Sequence, residues 1–571
     1  MTQIDLPLVG AARLPPEPKP EAGEPRFRSR SRAISSKKRL VEWVRPLTRV
    51  APSTRKRETR QAREGATVAR KGVAGPLPFQ RLTRAVRVLT FAVLGASAIA
   101  LATWALVTLT SRPLDGVEGE VLFEAGRIRR GLPLYVDPLV GTADVPPSRY
   151  FVLYPPAWSA LLALVPVAAP SALAALARVV ALSSFVGASV VAASVGGRAR
   201  GPALLALGFA LSFSATMLFG AAARPDAFAL FVATLALARV LRRGALDALA
   251  GAAFALAIFV KPNVMGLALG VFGATLVTRP RAIVGPALAG LAVGALGATV
   301  LQSVSGGAFI DHLLRSTAQG LSLSLWGEQL ALRLPFVAVP FALALAYARP
   351  VRDAAPVVLA RGALVMSVAW ALFSLAKIGS ASNYWMEPAV AAVALVSVAA
   401  RERAARPNAS ALDPSAVARA ALVAGVLLFA QSIHNGVAAV RNAIEGVSKA
   451  RAADAAIAEV RAACIRAPGD VVVADEPGVE VELQGRLLGT PFQMAHLFAA
   501  GRLPREPFLA DLARPEVRCV VAQRSELDDA EPWPLVHRRF DPEVRAAIRT
   551  HFVRDASLSA GGLSVWRRRG S

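Results

Sequence analysis

Three carboxylates stand close together in Asp115-Gly-Val-Glu118-Gly-Glu120, just beyond the first apolar run long enough to cross a bilayer. Ionisable groups at a membrane edge are costly to keep there, so they are functional candidates by default. A carboxylate so placed could take a proton from a substrate carried at the bilayer surface. The competing reading is a solvated loop helix whose acids face water. Cations follow. Arg224-Pro225-Asp226 opens an apolar helix, and Pro in the first turn with an acid at the positive helix end is good capping chemistry. The same residues offer a planar donor fork for phosphate and an acid to orient it. Lys261-Pro262-Asn263 repeats the arrangement, although a lysine there could simply snorkel to the interface. In Lys377-Ile-Gly-Ser-Ala-Ser-Asn383-Tyr384-Trp385-Met-Glu387, a cation, an amide, a phenol and a carboxylate gather within eleven residues. Tyr and Trp suit a membrane interface and also stack on sugar rings. His312 reads as a metal ligand, an acid or base, or a surface histidine.

These groups need elements to hold them, and composition says which. Hydrophobic residues make up 54% of the 571 and charged residues 18%, with mean hydropathy +0.47, so the chain reads as a polytopic membrane protein. Its net charge is +26, but residues 1–84 hold 20 Lys and Arg against 7 Asp and Glu, which is +13, half of the total. That Pro-, Arg- and Ser-rich leader lacks apolar periodicity and is expected to be disordered and cytoplasmic. Its basic residues carry no interleaved aromatics that would make a stacking platform, which argues against nucleic acid as a partner and for the lipid bilayer. No cleavable signal peptide is expected, because the first apolar run starts near Val86 and is long enough to span.

Apolar runs recur at about 86–110, 171–195, 202–222, 227–241, 245–260, 264–278, 283–304, 334–348, 355–376, 388–400 and 415–435. The connections between them alternate. One set is basic: Arg198 and Arg200, Arg242 and Arg243, Arg279 and Arg281, Arg349 and Arg352, then Arg401, Arg403 and Arg406. The positive-inside rule assigns these to the cytoplasm. The other set carries Asp115, Glu118, Arg149, Arg224, Asp226, Lys261, Asn263, His312, Lys377, Asn383, Tyr384 and Glu387, which therefore share the outer side. The segregation requires the proline-bracketed segment 157–169 to be re-entrant or interfacial. The expected fold is all-α, with about 11 transmembrane helices over residues 85–436, a first outer loop at 111–156 and a second large one at 305–333.

The tail, 437–571, reads as a small extracytoplasmic α/β domain, long enough to bury a core of its own. Helices are expected at 452–464 and 540–549, the second opened by Asp541, and strands at 470–474 and 517–522. Cys464 and Cys519, the two cysteines of the chain, both lie in it, and either a disulfide or two buried thiols would fit. It shows no nucleophile, metal-ligand spacing or phosphate loop, which points to a structural or acceptor-positioning role.

The order of basic leader, first helix, acidic outer loop, Gly131-Leu-Pro-Leu-Tyr135, Tyr154-Pro155-Pro156, Arg224-Pro225-Asp226 and Lys261-Pro262 resembles the GT-C membrane glycosyltransferases. The likeness is to the bacterial branch that includes protein mannosyltransferases and aminoarabinose transferases, and it covers about residues 86–400. It implies transfer of a sugar from a polyprenyl-phosphate-linked donor to an acceptor hydroxyl on an envelope glycan, lipid or protein, outside the cytoplasmic membrane. It makes a carboxylate of the first outer loop the general base, Asp115 by its distance from Gly131, with Glu118 as the rival. The family often carries an adjacent acidic pair, whereas Asp-Gly-Val-Glu stands here. Some relatives place a lysine directly before the Pro-Pro pair, where this chain has Tyr154, so Arg149, Arg224, Lys261 or Lys377 would contact the phosphate. Asp226, Asn263, Asn383, Tyr384, Glu387 and Tyr154 are then substrate-binding candidates. His312 resembles an outer-loop histidine that binds a metal in some members, which makes a divalent cation the candidate cofactor, although the likeness does not carry metal dependence over. The alternative is a non-enzymatic transporter or flippase of lipid-linked sugars, which would need the cations and aromatics but no base. Glu120, two residues beyond Glu118, is the acid expected to face solvent.

Overall fold

Every one of the apolar runs falls on a helix in the computed structural model. It describes residues 77–571 apart from 112–113, 168, 198–199, 317–318, 407–413, 523–524, 531, 560–561 and 571, so the leader lies almost wholly outside the described residues. Seven helical segments among the described residues are long and apolar enough to cross a membrane, from Arg81–Leu109 to Ala418–Cys464, and the chain is a multi-pass membrane protein. Gly201–Ser212, Ala248–Val260 and Pro262–Thr278 are equally apolar but shorter. The 202–222 run is divided at Phe213 into Arg200–Ser212 and Ser214–Gly220. The proline-bracketed segment forms only the seven-residue helix Ala157–Ala163, too short to cross the roughly 30 Å hydrocarbon core.

Small residues set the closest helix contacts, as expected where no hydrophobic effect drives helices together within lipid. Met265–Thr278 packs along Ala355–Ser374. At that crossing a Cβ on Gly270 would fall 2.2 Å from the Gly362 carbonyl oxygen, so only glycine permits the approach. The helix Val284–Val304 buries only Pro286 and presents the rest of its apolar surface outward.

The last helix differs from expectation in length. Pro414–Cys464 runs unbroken for 51 residues, about 75 Å at 1.5 Å per residue, so the last apolar run and the expected 452–464 helix are one rod. It ends at Cys464, which is disulfide-bonded to Cys519 in the strand Val517–Ala522. β1 (Val471–Ala474) pairs parallel with β2 (Val517–Ala522), and β4 (Ser564–Arg568) and β3 (Phe552–Arg554) extend the sheet antiparallel in the order β1-β2-β4-β3. Asp541 caps the helix Pro542–His551, accepting from the Glu543 amide at 3.1 Å.

This sheet domain is not closed on itself. Phe151 of the loop that follows the first span belongs to its core, and Phe123, Tyr150 and Val152 form a second shared cluster with Val481 and Leu487. Arg149 donates its backbone N–H to the Leu488 carbonyl at 2.6 Å. Gly119 meets Gly478 so closely that a Cβ on either would collide with the other segment's backbone. The sheet domain and the loop that follows the first span are accordingly parts of one compact unit that begins at Arg81.

Candidate active site

Asp115 ends the link from the first helix and caps the acidic helix Gly116–Arg129, accepting the Glu118 N–H at 2.7 Å while Glu118 reaches back toward the Asp115 amide at 3.5 Å. This reciprocal capping box fixes where the Asp115 carboxylate can point. One of its oxygens lies 4.0 Å from Nη1 of Arg224. Arg224 sits in a run of bends before Asp226, stacks over Phe219 at 5.1 Å, and holds its Nε 3.5 Å from the Asp226 carboxylate. That contact is an ion pair without hydrogen-bond geometry, and Arg224 also reaches the Tyr154 hydroxyl.

Asp226, the first residue of its helix, is 2% exposed and gathers the next set. Lys261 Nζ is 2.7 Å from its Oδ2, and Nδ2 of Asn263 and of Asn383 donate to its Oδ1 at 3.1 and 2.5 Å. Lys261 ends the helix Ala248–Val260 in extended conformation, which turns its ammonium over the Tyr154 ring at 4.2 Å from the centroid. Tyr384 and Glu387 join Asp226, Asn263 and Asn383 around a cleft with about 210 Å³ of empty space, counting the part open to solvent. Glu387 accepts the Leu267 N–H at the start of the neighbouring helix.

Lys377 is half-buried in the link between two spans, where its segment bridges to Leu321. Burial lowers the ammonium's pKa, and the nearby charge of Lys261 lowers it further. Among the described residues no ion pair involves Lys377. The cation therefore has charge to offer an incoming anion, whereas Lys261 is already matched by Asp226.

Glu118 stands behind Asp115. It is fully buried, gripped by both arms of the Arg178 guanidinium, and accepts the Ala223 N–H at 2.8 Å. Burial opposes its ionisation, but the bonds and charge of Arg178 outweigh that and hold its pKa below the ordinary value. With every side-chain oxygen engaged, Glu118 is a fastening point between three segments. Asp115 has the opposite balance: burial and then the charge of Glu118 raise its pKa. A carboxylate so destabilised is the stronger proton acceptor once ionised.

Three expectations need correction. Glu120 does not face solvent: it is 6% exposed on the face toward Thr490, and burial with the neighbouring charge of Glu124 pushes its pKa well up. Arg149 is not at the cation cluster. Its guanidinium pairs with Asp511 and donates to the Pro138 and Leu139 carbonyls, joining loop to sheet domain. His312 is not positioned as a metal ligand. It is 1% exposed, with Nδ1 accepting the Val152 N–H at 3.2 Å and Nε2 against the Val136 carbonyl at 2.8 Å, so neither nitrogen has a free lone pair. Among the described residues no group of three or more His, Cys, Asp or Glu is placed to hold a metal ion. The surroundings of His312 thus do not fit a divalent cation.

The sequence reading missed Arg178, Ser159, Thr490 and Glu124. Arg178 did leave a signal, a lone cation inside an apolar run, and such a residue needs a buried partner. Glu124 accepts from Ser159 Oγ at 2.5 Å, and burial raises its carboxyl to about 7. A carboxyl with a raised pKa in the folded protein stabilises it fully below the unfolded value and loses that contribution as pH rises through about 7. Glu124→Gln is therefore expected to raise the melting temperature at pH 8 and change it little at pH 4, measured by thermal unfolding in detergent. An equal shift at both pH values would remove the protonation account.

No protein-family model matches the sequence, and comparison with curated proteins gives no match. Solved structures do. ArnT from Cupriavidus metallidurans bound to undecaprenyl phosphate aligns with a TM-score of 0.52 at 13% identity, covering 83% of this chain and 98% of that one. The same protein in the apo state aligns at 0.50 and 14% identity, covering 82% and 96%. The alignment extends over nearly the whole of ArnT, and the chain has the GT-C fold of the ArnT structures.

Proposed function

We propose that this protein is a membrane glycosyltransferase that moves a sugar from a polyprenyl-phosphate-linked donor to an acceptor hydroxyl at the outer face of the cytoplasmic membrane. The observation that carries the reading is the continuous network Asp115–Arg224–Asp226–Lys261–Tyr154, with Lys377 beside it, in the fold of a protein crystallised with undecaprenyl phosphate. A base and several cations at one membrane edge are what such a transfer needs. The alternation of basic links supports a cytoplasmic N-terminus and an outer sheet domain, and a disulfide in that domain accords with an oxidising compartment.

In the proposed reaction the acceptor oxygen attacks the anomeric carbon and its proton passes to the Asp115 carboxylate. The bond from that carbon to the phosphate oxygen breaks, and its electron pair leaves with the polyprenyl phosphate. Lys377 and the Arg224 guanidinium meet the charge that grows on the leaving phosphate. Lys261 and Asp226 hold Arg224 and Tyr154 in place around it. Glu118 anchors the Asp115 cap to Arg178 and to the turn carrying Arg224.

The test is binding and turnover by the full chain in lipid nanodiscs. Undecaprenyl phosphate is expected to bind, and Lys377→Ala to weaken that binding by roughly tenfold to a hundredfold, since charge-assisted hydrogen bonds contribute about 1.5–3 kcal/mol. Release of undecaprenyl phosphate from a sugar-linked donor, followed by mass spectrometry, should require Asp115. Envelope glycans compared with and without the protein would identify the product. Donor movement across the bilayer without cleavage would overturn the enzymatic reading.

A further inference from the structure

Between the apolar segments Pro280–Val304 and Leu323–Val351 lies the helix Ala308–Ser316, whose side chains sort into three faces. At about 100° per residue, positions three and four apart share a face. Phe309, His312 and Ser316 form the first and are buried. Phe309 meets Tyr135 edge-on at 5.5 Å, His312 is held between the Val136 carbonyl and the Val152 amide, and the Ser316 carbonyl accepts from Gln493 Nε2 at 3.5 Å. Asp311 and Arg315 form the second, ion-paired at 2.8 Å on the surface. Ile310 and Leu314 form the third, which is apolar and exposed, Leu314 at 65%. Apolar exposure continues on either side of the helix. Val304, which ends the preceding apolar segment, is 83% exposed, and Leu321 and Leu323, where the next begins, are 65% and 81% exposed. Singly such residues mean little, but a series that joins the ends of two membrane-length helices marks a contact surface. The same stretch is tied to the candidate site. The Ser322 N–H donates to the Ala376 carbonyl at 2.7 Å and the Ile378 N–H to the Gly320 carbonyl at 3.1 Å, so Leu321 lies in a short antiparallel bridge with Lys377.

We propose that the helix Ala308–Ser316 and residues 320–323 are seated in the bilayer leaflet on the Asp115 side, with Ile310, Leu314, Leu321 and Leu323 entering the boundary between headgroups and acyl chains, and that this seating holds Lys377 at the depth of the lipid phosphates. The seating stands on the geometry of the helix and its flanks, while the part played by Lys377 rests on the function given above. A helix with one face on the protein, one charged and one apolar fits the plane of the interface, where the apolar pair reaches lipid and the ion pair stays among headgroups and water. Lipid is the occupant that continuity selects. The exposed series starts on the helix Val284–Val304, which buries only Pro286 and turns the rest of its apolar surface outward. A polyprenyl phosphate keeps its tail among the acyl chains and its charged end among the headgroups. A cation bridged through the backbone to a lipid-seated segment meets that phosphate without the lipid leaving its leaflet.

The experiment uses the full chain in lipid nanodiscs. Its two cysteines are joined to each other, so a single introduced cysteine is the only free thiol and takes a bimane label selectively. Labels on Ile310→Cys, Leu314→Cys and Leu321→Cys are expected to shift their emission to the blue and to be quenched by lipids brominated on their acyl chains, while aqueous iodide leaves them bright. Asp311→Cys should show the reverse. The variants are separate and lie on exposed positions, so one that fails to fold leaves the others to decide. Iodide quenching at positions 310, 314 and 321 would put the segment in water and overturn the seating. Quenching by neither agent at 310 and 314 would mean a protein covers that face, which overturns it as well. The double variant Ile310→Asn with Leu314→Asn is expected to weaken the binding of undecaprenyl phosphate by roughly 3- to 10-fold, through lost pre-organisation of the Lys377 segment. Unchanged affinity in that variant overturns the role given to Lys377 and leaves the seating to the fluorescence result. Absence of undecaprenyl phosphate binding by the unaltered protein overturns the proposed function, and the labels still report where the helix lies.

Discussion

Asp115→Asn is expected to lower the rate of sugar transfer by roughly 10²- to 10⁴-fold, the usual contribution of general-base assistance, while the protein folds and binds undecaprenyl phosphate as before. Folding should survive because Asn caps a helix as well as Asp, and its side-chain oxygen can still accept the Glu118 N–H. The same assignment fixes a pH dependence. A base works ionised, so the rate falls as pH drops through its pKa. Burial and the charge of Glu118 move that pKa up, placing the acid limb of the pH–rate profile above the ordinary range of an aspartate. In Asp115→Asn the limb should disappear from the residual rate. A variant that turns over at the wild-type rate would remove Asp115 from the mechanism.

Arg178→Met is expected to cost about 3–5 kcal/mol of stability, because it leaves the fully buried Glu118 carboxylate without its counter-charge. The loss should be visible as a lower melting temperature in detergent, and activity should fall with it as the Asp115 cap loosens. Adding Glu118→Gln tests the cause. Gln removes the stranded charge and keeps an acceptor for the Ala223 N–H, so the double variant should recover most of the stability. If the double variant is no more stable than Arg178→Met alone, the ion pair is not what holds these segments. Recovered stability without recovered turnover would mark the pair as a positioning device for Asp115 as well as a fastener.

What was legible in the chain was periodic or punctuated. Apolar runs gave the helices because only helices satisfy the backbone within lipid, and proline beside a charged residue marked the turns at Arg224 and Lys261. Convergence was less legible. Asp226 and Asn383 lie 157 residues apart yet share a 2.5 Å hydrogen bond, which no spacing rule forecasts. Glu120 read as exposed because the surface that covers it comes from the sheet domain some 370 positions later, at Thr490. Arg149 and His312 had the right types for binding an anion or a metal, but their partners Asp511 and the Val136 and Val152 backbone decide otherwise. A residue type states what a side chain can do, and only its neighbours state what remains free to be done.

The sheet domain rests on the membrane part at three kinds of joint: the unbroken 51-residue helix ending in a disulfide, the Gly119–Gly478 crossing, and the loop aromatics inserted into its cores. Three separated joints leave a rigid body no hinge axis. A chain cut after the last span would strip Phe123, Tyr150 and Phe151 of their cover and lay bare the helix that carries Glu120 and Glu124. Such a truncation should therefore behave as a folding lesion, aggregating or being degraded, rather than as an enzyme that has merely lost an accessory module. A substitution that changes side-chain volume in the loop after the first span is correspondingly felt in the sheet domain, because each is part of the other's interior.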